Sequence, residues 1–192
     1  MTTSGRIELM APAGNFESMQ AALDNGCDSI YFGVEQLNMR ARATVNFVLD
    51  DLPEIARRCN EKNVRTYLTL NTIIYDHDLS IVKTLLTKAK EAGITAVIAS
   101  DQAVIMTART IGMEVHISTQ LNVTNIETVK FYAMFADTIV LSRELSLRQV
   151  KKITEDIEKE QVKGPIGNLV EIEIFGHGAL CMAVSGKCYL SL

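Results

Sequence analysis

Short apolar runs recur along the chain: "IELMA" (7–11), "SIYFGV" (29–34), "RTYLTL" (65–70), "AVIAS" (96–100), "EVHIS" (114–118), "TIVLS" (138–142) and "EIEIF" (171–175). Most are rich in branched or aromatic residues and too short for helices, and continuous apolar runs of this length suit strands buried on both faces. Between them the apolar positions fall at helical spacing. Residues 16–25 follow Asn15, a good N-cap, and stop at Gly26. Asp50 or Asp51 with Pro53 opens a second helix. Leu79, Val82, Leu85, Leu86 and Ala89 make one stripe that Gly93 ends. Further helices are expected over 101–111, 125–136 and 146–160, the last opened by the capping pair Ser146 and Gln149.

Strand and helix alternate throughout, which predicts an α/β fold with a parallel sheet and right-handed crossovers. Such a sheet either stays open and doubly wound or closes into a barrel. The first turn, "APAGNF", lacks the GxGxxG of a dinucleotide fold. The expectation is therefore a parallel (β/α) barrel of TIM type, truncated after about seven strands. Residues 1–192 form one barrel-like domain in this reading, the N-terminal part of a longer protein, and "KGPIGN" (163–168) is a loop rather than a boundary. Apolar surface left bare by an absent eighth strand and helix would favour self-association.

Bulk composition narrows the function classes. The chain is 47% hydrophobic and 22% charged, with a net charge of -4, which argues against coating nucleic acid by bulk charge. No run of eighteen apolar residues occurs, so no membrane span is expected, and the first residues lack the apolar core of a signal peptide. A cytoplasmic location follows, in which four cysteines are free, metal-bound or catalytic sooner than disulfide-bonded.

Ligands bind at the carboxyl ends of parallel strands. Those ends carry Asn15, Gly33, Asn71, Ser100 to Gln102, Ser118 to Gln120, Arg143-Glu144 and His177-Gly178. Asn15, Ser100 and Asp101 also read as helix caps, whereas Gln120 and Arg143 suit a substrate-binding role, with Asn71 on the same rim. The loop "LNMRARATVNF" (37–47) places Arg40 and Arg42 among small residues, as an anion-binding loop would, or as an exposed basic loop would. Asp76-His77-Asp78 reads as surface and His116, within the fifth run, as a packed core residue. Cys27 and Cys59 read as buried structural thiols. Cys181 and Cys188 follow a strand end, among glycines that let the backbone turn. Their spacing leaves open an iron–sulfur cluster, a metal with His177 as third ligand, ordinary thiols, a redox disulfide, or a catalytic pair of Cys181 with His177.

The stretch "EIFGHGALCMAVSGKCYLS" (173–191) resembles the signature of the collagenase-like peptidases, family U-32. Glu173, Phe175, Gly178, Ala179, Leu180, Cys181, Gly186, Cys188, Leu190 and Ser191 fall on that pattern. "ELMAPAGNFES", "YFG", "TLNT", "STQ" and "LSREL" at earlier strands extend the resemblance over essentially the whole chain. It implies the historical function, peptide hydrolysis. It also implies a second one: relatives bind a 4Fe-4S iron–sulfur cluster through four cysteines and support oxygen-independent hydroxylation. Their targets are a tRNA or ribosomal RNA pyrimidine or a ubiquinone precursor, with prephenate implicated for the RNA branch. On that resemblance Cys181 and Cys188 are two cluster ligands, with two more beyond Leu192, so residues 1–192 alone are expected to hold no complete cluster and to be inactive. Arg40, Arg42 and Arg143 would then bind an anionic co-substrate or phosphate, and Glu173 and His177 would serve as catalytic proton carriers. Neither HExxH nor GxSxG is present to support a hydrolase. A non-catalytic scaffold that carries the cluster is the third reading.

Overall fold

The structure is a computed structural model that describes residues 7–34, 47–178 and 183–186. Its strands are β1 (Met10–Pro12), β2 (Ser29–Gly33), β3 (Arg65–Leu70), β4 (Ala96–Ala99), β5 (Glu114–Ile117), β6 (Thr138–Val140) and β7 (Glu171–Glu173). Six helices alternate with them: α1 (Phe16–Asp24), α2 (Leu52–Glu61), α3 (Leu79–Ala92), α4 (Gln102–Thr110), α5 (Ile126–Ala133) and α6 (Leu147–Glu160). All neighbouring strands pair in parallel. The spatial order is the sequence order, β1 to β7. A doubly wound sheet reverses its order at a switch point; this one never does, so the winding is that of a barrel.

The pleat sorts each strand into two faces. Ile30, Phe32, Leu68, Leu70, Val97, Val115, Ile117 and Ile139 belong to the large apolar cluster shared with the helices. The intervening positions form a separate, smaller cluster of Tyr67, Ala96 and Ile98 with Met10 and Tyr31 packed on it. The first face meets the helix layer and the second fills the barrel. Cys27 and Cys59 lie in the helix-side cluster as free thiols, as expected for structural cysteines. Burial pushes the Cys59 thiol up to about 11, which keeps it protonated and inert.

Local signals account for the helix boundaries. Asn15 Oδ1 accepts from Ser18 N at 2.8 Å while Asn15 N donates back to Ser18 Oγ at 3.2 Å. Ser146 and Gln149 make the same reciprocal cap on α6. Gly93 ends α3 in the left-handed region. Two expectations shift. Asp101, not Ser100, caps α4, accepting from Ala103 N at 2.7 Å. The first apolar run pairs with β2 only from Met10 onward, leaving Ile7 and Leu9 exposed. Leu9 is fixed to β2 by its carbonyl, which accepts from Asp28 N at 2.8 Å, so the ladder starts one residue later.

Candidate active site at the strand ends

The carboxyl ends of β3, β5 and β6 meet in two hydrogen-bonded groups. In the first, Asn71 Nδ2 donates to Gln120 Oε1 at 3.3 Å, and Ser118 Oγ donates to the same oxygen. Gln120 is held on a 3-10 turn, Thr119–Leu121, that closes in the left-handed residue Asn122. In the second, Ser142 Oγ lies 2.6 Å from Glu144 Oε2 and also reaches Asn122 Oδ1. One hydroxyl proton serves one acceptor; turning the Asn122 amide so that its nitrogen faces Ser142 satisfies both.

These groups grip a piece of chain from beyond β7. Ser185 N donates to Glu144 Oε1 at 2.8 Å. Arg143 N donates to Ser185 Oγ at 3.4 Å, and Arg143 Nη2 donates to the Ala183 carbonyl at 3.4 Å. Gly186, at φ +76°, lies so close to β5's loop that a Cβ there would come within 2.3 Å of the Gln120 carbonyl oxygen. The turn at 183–186 is thus pinned to the mouth from two strands. In sequence it sits between Cys181 and Cys188, two residues from each.

The hydrogen bond from Ser142, followed by that from Ser185 N, holds the Glu144 carboxyl down at about 2. Its folded value is depressed, so its contribution is fully present above the ordinary carboxylate range. That contribution is lost as pH falls from about 4.5 toward 2. Glu144 is exposed, so the effect is local: the turn should release in that window while the barrel stays folded. Hydrogen exchange at the Ser185 amide, followed from pH 6 to about 2, reads this directly; Glu144→Gln should show the fast exchange already at pH 6.

Glu173 sits at the end of β7, partly buried, and burial pushes its carboxyl above the ordinary range. His177 is exposed and makes no hydrogen bond or ion pair with Glu173 among the described residues. The histidine that Glu173 does face is His116, with Nδ1 3.9 Å from Glu173 Oε2. Asn71, Gln120 and Arg143 lie at the mouth, where Arg143 is engaged with the 183–186 turn. His77 is on the exposed 3-10 turn Asp76–Asp78. Arg40, Arg42, Cys181 and Cys188 lie outside the described residues. Among the described residues no group of three His, Cys, Asp or Glu side chains is arranged to hold a metal.

Ser142, Glu144 and Ser185 acquire their roles only through this docking; a serine two residues before a glutamate at a strand end was their one local signal. The contact of Glu114 with His116 had a clearer one, because alternation on β5 puts Glu114, His116 and Ser118 on one face.

Residues 14–192 match Peptidase family U32. The chain belongs to that family. It is 55% identical over 186 residues to a collagenase of Porphyromonas gingivalis, covering 97% of this chain and 45% of the relative. It is 30% identical over 187 residues to tRNA hydroxylation protein P1 of Bacillus subtilis, covering 96% of this chain and 42% of the relative. The chain therefore spans less than half the length of these relatives. A solved U32 peptidase superposes with a TM-score of 0.63 at 15% identity, over 81% of this chain and 67% of its own, and supports the barrel winding. The relatives are named as a collagenase and as a tRNA hydroxylation protein, and no helix among the described residues is long and apolar enough to cross a membrane.

Proposed function

We propose that the full-length protein supports hydroxylation of an RNA pyrimidine, using an iron–sulfur cluster held in part by Cys181 and Cys188. The observation that carries this reading is the anchoring of the 183–186 turn at the barrel mouth. A lone loop would leave two thiols to wander; here the chain between them is tied to Glu144, Arg143 and Gln120. Thiolates are the protein ligands such a cluster takes, and a fixed connecting turn suits holding two of them. The cluster, when bound, supplies one-electron chemistry.

The remaining steps belong to this chain. Arg40 and Arg42 would bind a phosphate or an anionic co-substrate of prephenate type. Asn71 and Gln120 present amides that orient a polar edge, as a pyrimidine has. Glu173, whose carboxyl burial raises above the ordinary range, would carry a proton to or from substrate at the mouth.

Peptide hydrolysis is the second reading, favoured by the name of the Porphyromonas relative. It requires an activated nucleophile or a metal-bound water. The described serines at the mouth are arranged otherwise: Ser118 donates to an amide oxygen and Ser142 contacts Glu144 and Asn122, neither being paired with a histidine.

Anaerobic purification of the full-length protein separates the readings. The proposal expects a brown protein with equal iron and acid-labile sulfide, lost in C181S and in C188S. Deleting its gene should remove one hydroxylated pyrimidine from tRNA or ribosomal RNA, restored by the wild type and not by C181S. A colourless, iron-free protein that cleaves gelatin, with RNA unchanged in the deletion strain, overturns it. A quinone precursor that accumulates while RNA is unchanged overturns the RNA assignment.

A further inference from the structure

Below the mouth the barrel interior holds a second set of titratable groups, stacked in layers. Glu114 is level with Ala96 and Tyr67, His116 with Thr138 one step higher, and Glu173 with Val140 one step higher again. Each step is two residues, about 6.6 Å along a strand. His116 is 3% exposed. Its Nε2 lies 3.1 Å from Glu114 Oε1, and its Nδ1 faces Glu173 Oε2 at 3.9 Å. His116 Nδ1 and Glu173 Oε2 are both buried and have no hydrogen-bond partner. The Tyr67 ring packs on the imidazole with centroids 4.5 Å apart.

The protonation states follow from the pairing. His116's hydrogen bond to Glu114 favours an ionised Glu114, which then accepts from Nε2–H. A neutral His116 therefore carries its lone pair on Nδ1, aimed at Glu173. A neutral Glu173 carries an O–H that this lone pair can accept. When the proton moves across, Glu173 becomes a carboxylate and His116 an imidazolium, with Nε2–H still on Glu114. Glu114 stays ionised in both states, so the three groups carry the same net negative charge in each and the transfer adds no net buried charge.

We propose that His116, oriented by Glu114, shares one proton with Glu173 and thereby loads Glu173 as the proton donor and acceptor of the barrel mouth. Glu173 is the member that meets substrate; His116 and Glu114 are positioning residues, and His177 is not part of the set. A proton given up by Glu173 to an acceptor in the mouth leaves a carboxylate, and a proton taken back from product or solvent restores the shared state. The other groups on this side are Tyr67 from β3, Thr138 from β6, Glu171 level with Thr138 on the same face of β7 as Glu173 and, beyond Tyr67, Glu8. The Tyr67 hydroxyl donates to Glu8 at 2.8 Å, and Arg65 pairs with Glu8. Arg65 also helps to hold Glu114 ionised, and Glu114 is the charged group bonded to His116. The inference rests on the mouth being the reaction site and not on which reaction occurs there.

The test uses full-length protein without substrate, so its failure is separate from failure of the hydroxylase reading. Infrared difference spectra across pH should show the carbonyl stretch of a protonated carboxylic acid, identified as Glu173 by its absence in E173Q. Nitrogen NMR of labelled histidine should show the His116 ring, identified by its absence in H116Q, changing at Nδ1 in step with that band. In H116Q the Glu173 band should titrate at a pH shifted by at least about one unit, a tenfold change in proton affinity. In E173Q the Nδ1 signal should lose that coupled step. If H116Q fails to fold, the E173Q measurement on His116 alone decides. A Glu173 band whose titration is the same in H116Q, or a His116 ring whose Nδ1 signal is the same in E173Q and wild type, overturns the proposal.

Discussion

Replacing Gly186 with alanine should strip iron from the full-length protein while leaving the barrel folded. Gly186 has φ +76°, and a Cβ would stand 2.3 Å from the Gln120 carbonyl oxygen, a backbone atom that cannot swing away. An L-residue in that region costs about 1–2 kcal/mol before any clash is counted. The cheapest relief is to lift the turn off Gln120, since among the described residues the turn is held by hydrogen bonds from Glu144 and Arg143. If the turn holds Cys181 and Cys188 for a cluster, Gly186→Ala should lower iron per chain at least about tenfold, a change of about 1.4 kcal/mol in binding. The urea midpoint of the barrel should stay within the range of an ordinary surface change, about 0.5 kcal/mol. Wild-type iron content in the alanine variant would show that the turn's position does not govern the cluster.

The largest effect on stability is expected at Leu68. It is fully buried on the helix-facing side of β3, a strand paired on both edges. Leu68→Ala should cost about 2–5 kcal/mol, the spread reflecting how far the site collapses around the cavity. That is a large part of a typical total of about 5–15 kcal/mol. Tyr67→Phe, one residue earlier and on the interior face, removes only the hydroxyl that donates to Glu8 and should cost about 0.5–1.5 kcal/mol. Urea unfolding of the two variants measures the contrast. Equal losses would mean that the two faces of β3 do not differ as the separate clusters indicate.

The helix-facing strand residues were readable because each strand is apolar on that face without interruption, and the helix caps because Asn15, Asp101 and Ser146 act within three residues of themselves. The interior face was harder. His116 read as a core histidine; it is buried, but its surroundings are two carboxylates and a tyrosine contributed by β3, β5 and β7. No local pattern announces that Glu173, far along the chain, will face it. Glu173 and His177 were named together only on the family resemblance; in the structure the histidine nearest Glu173 is His116. Ser100 was passed over as a cap for its neighbour because Asp101 has the extended backbone and the carboxylate that reaches Ala103 N.

By itself the sequence determined the alternation of strand and helix, the parallel pairing, the family and the presence of two cysteines after the seventh run. These depend on periodicity and short-range chemistry, which residues a few positions apart carry between them. The barrel winding was expected from the sequence and is borne out; only the tertiary structure decided the docking of 183–186 onto Glu144 and Gln120 and the meeting of His116 with Glu173. Those depend on which strands curve toward each other, and curvature is set by packing over the whole barrel rather than by any one segment.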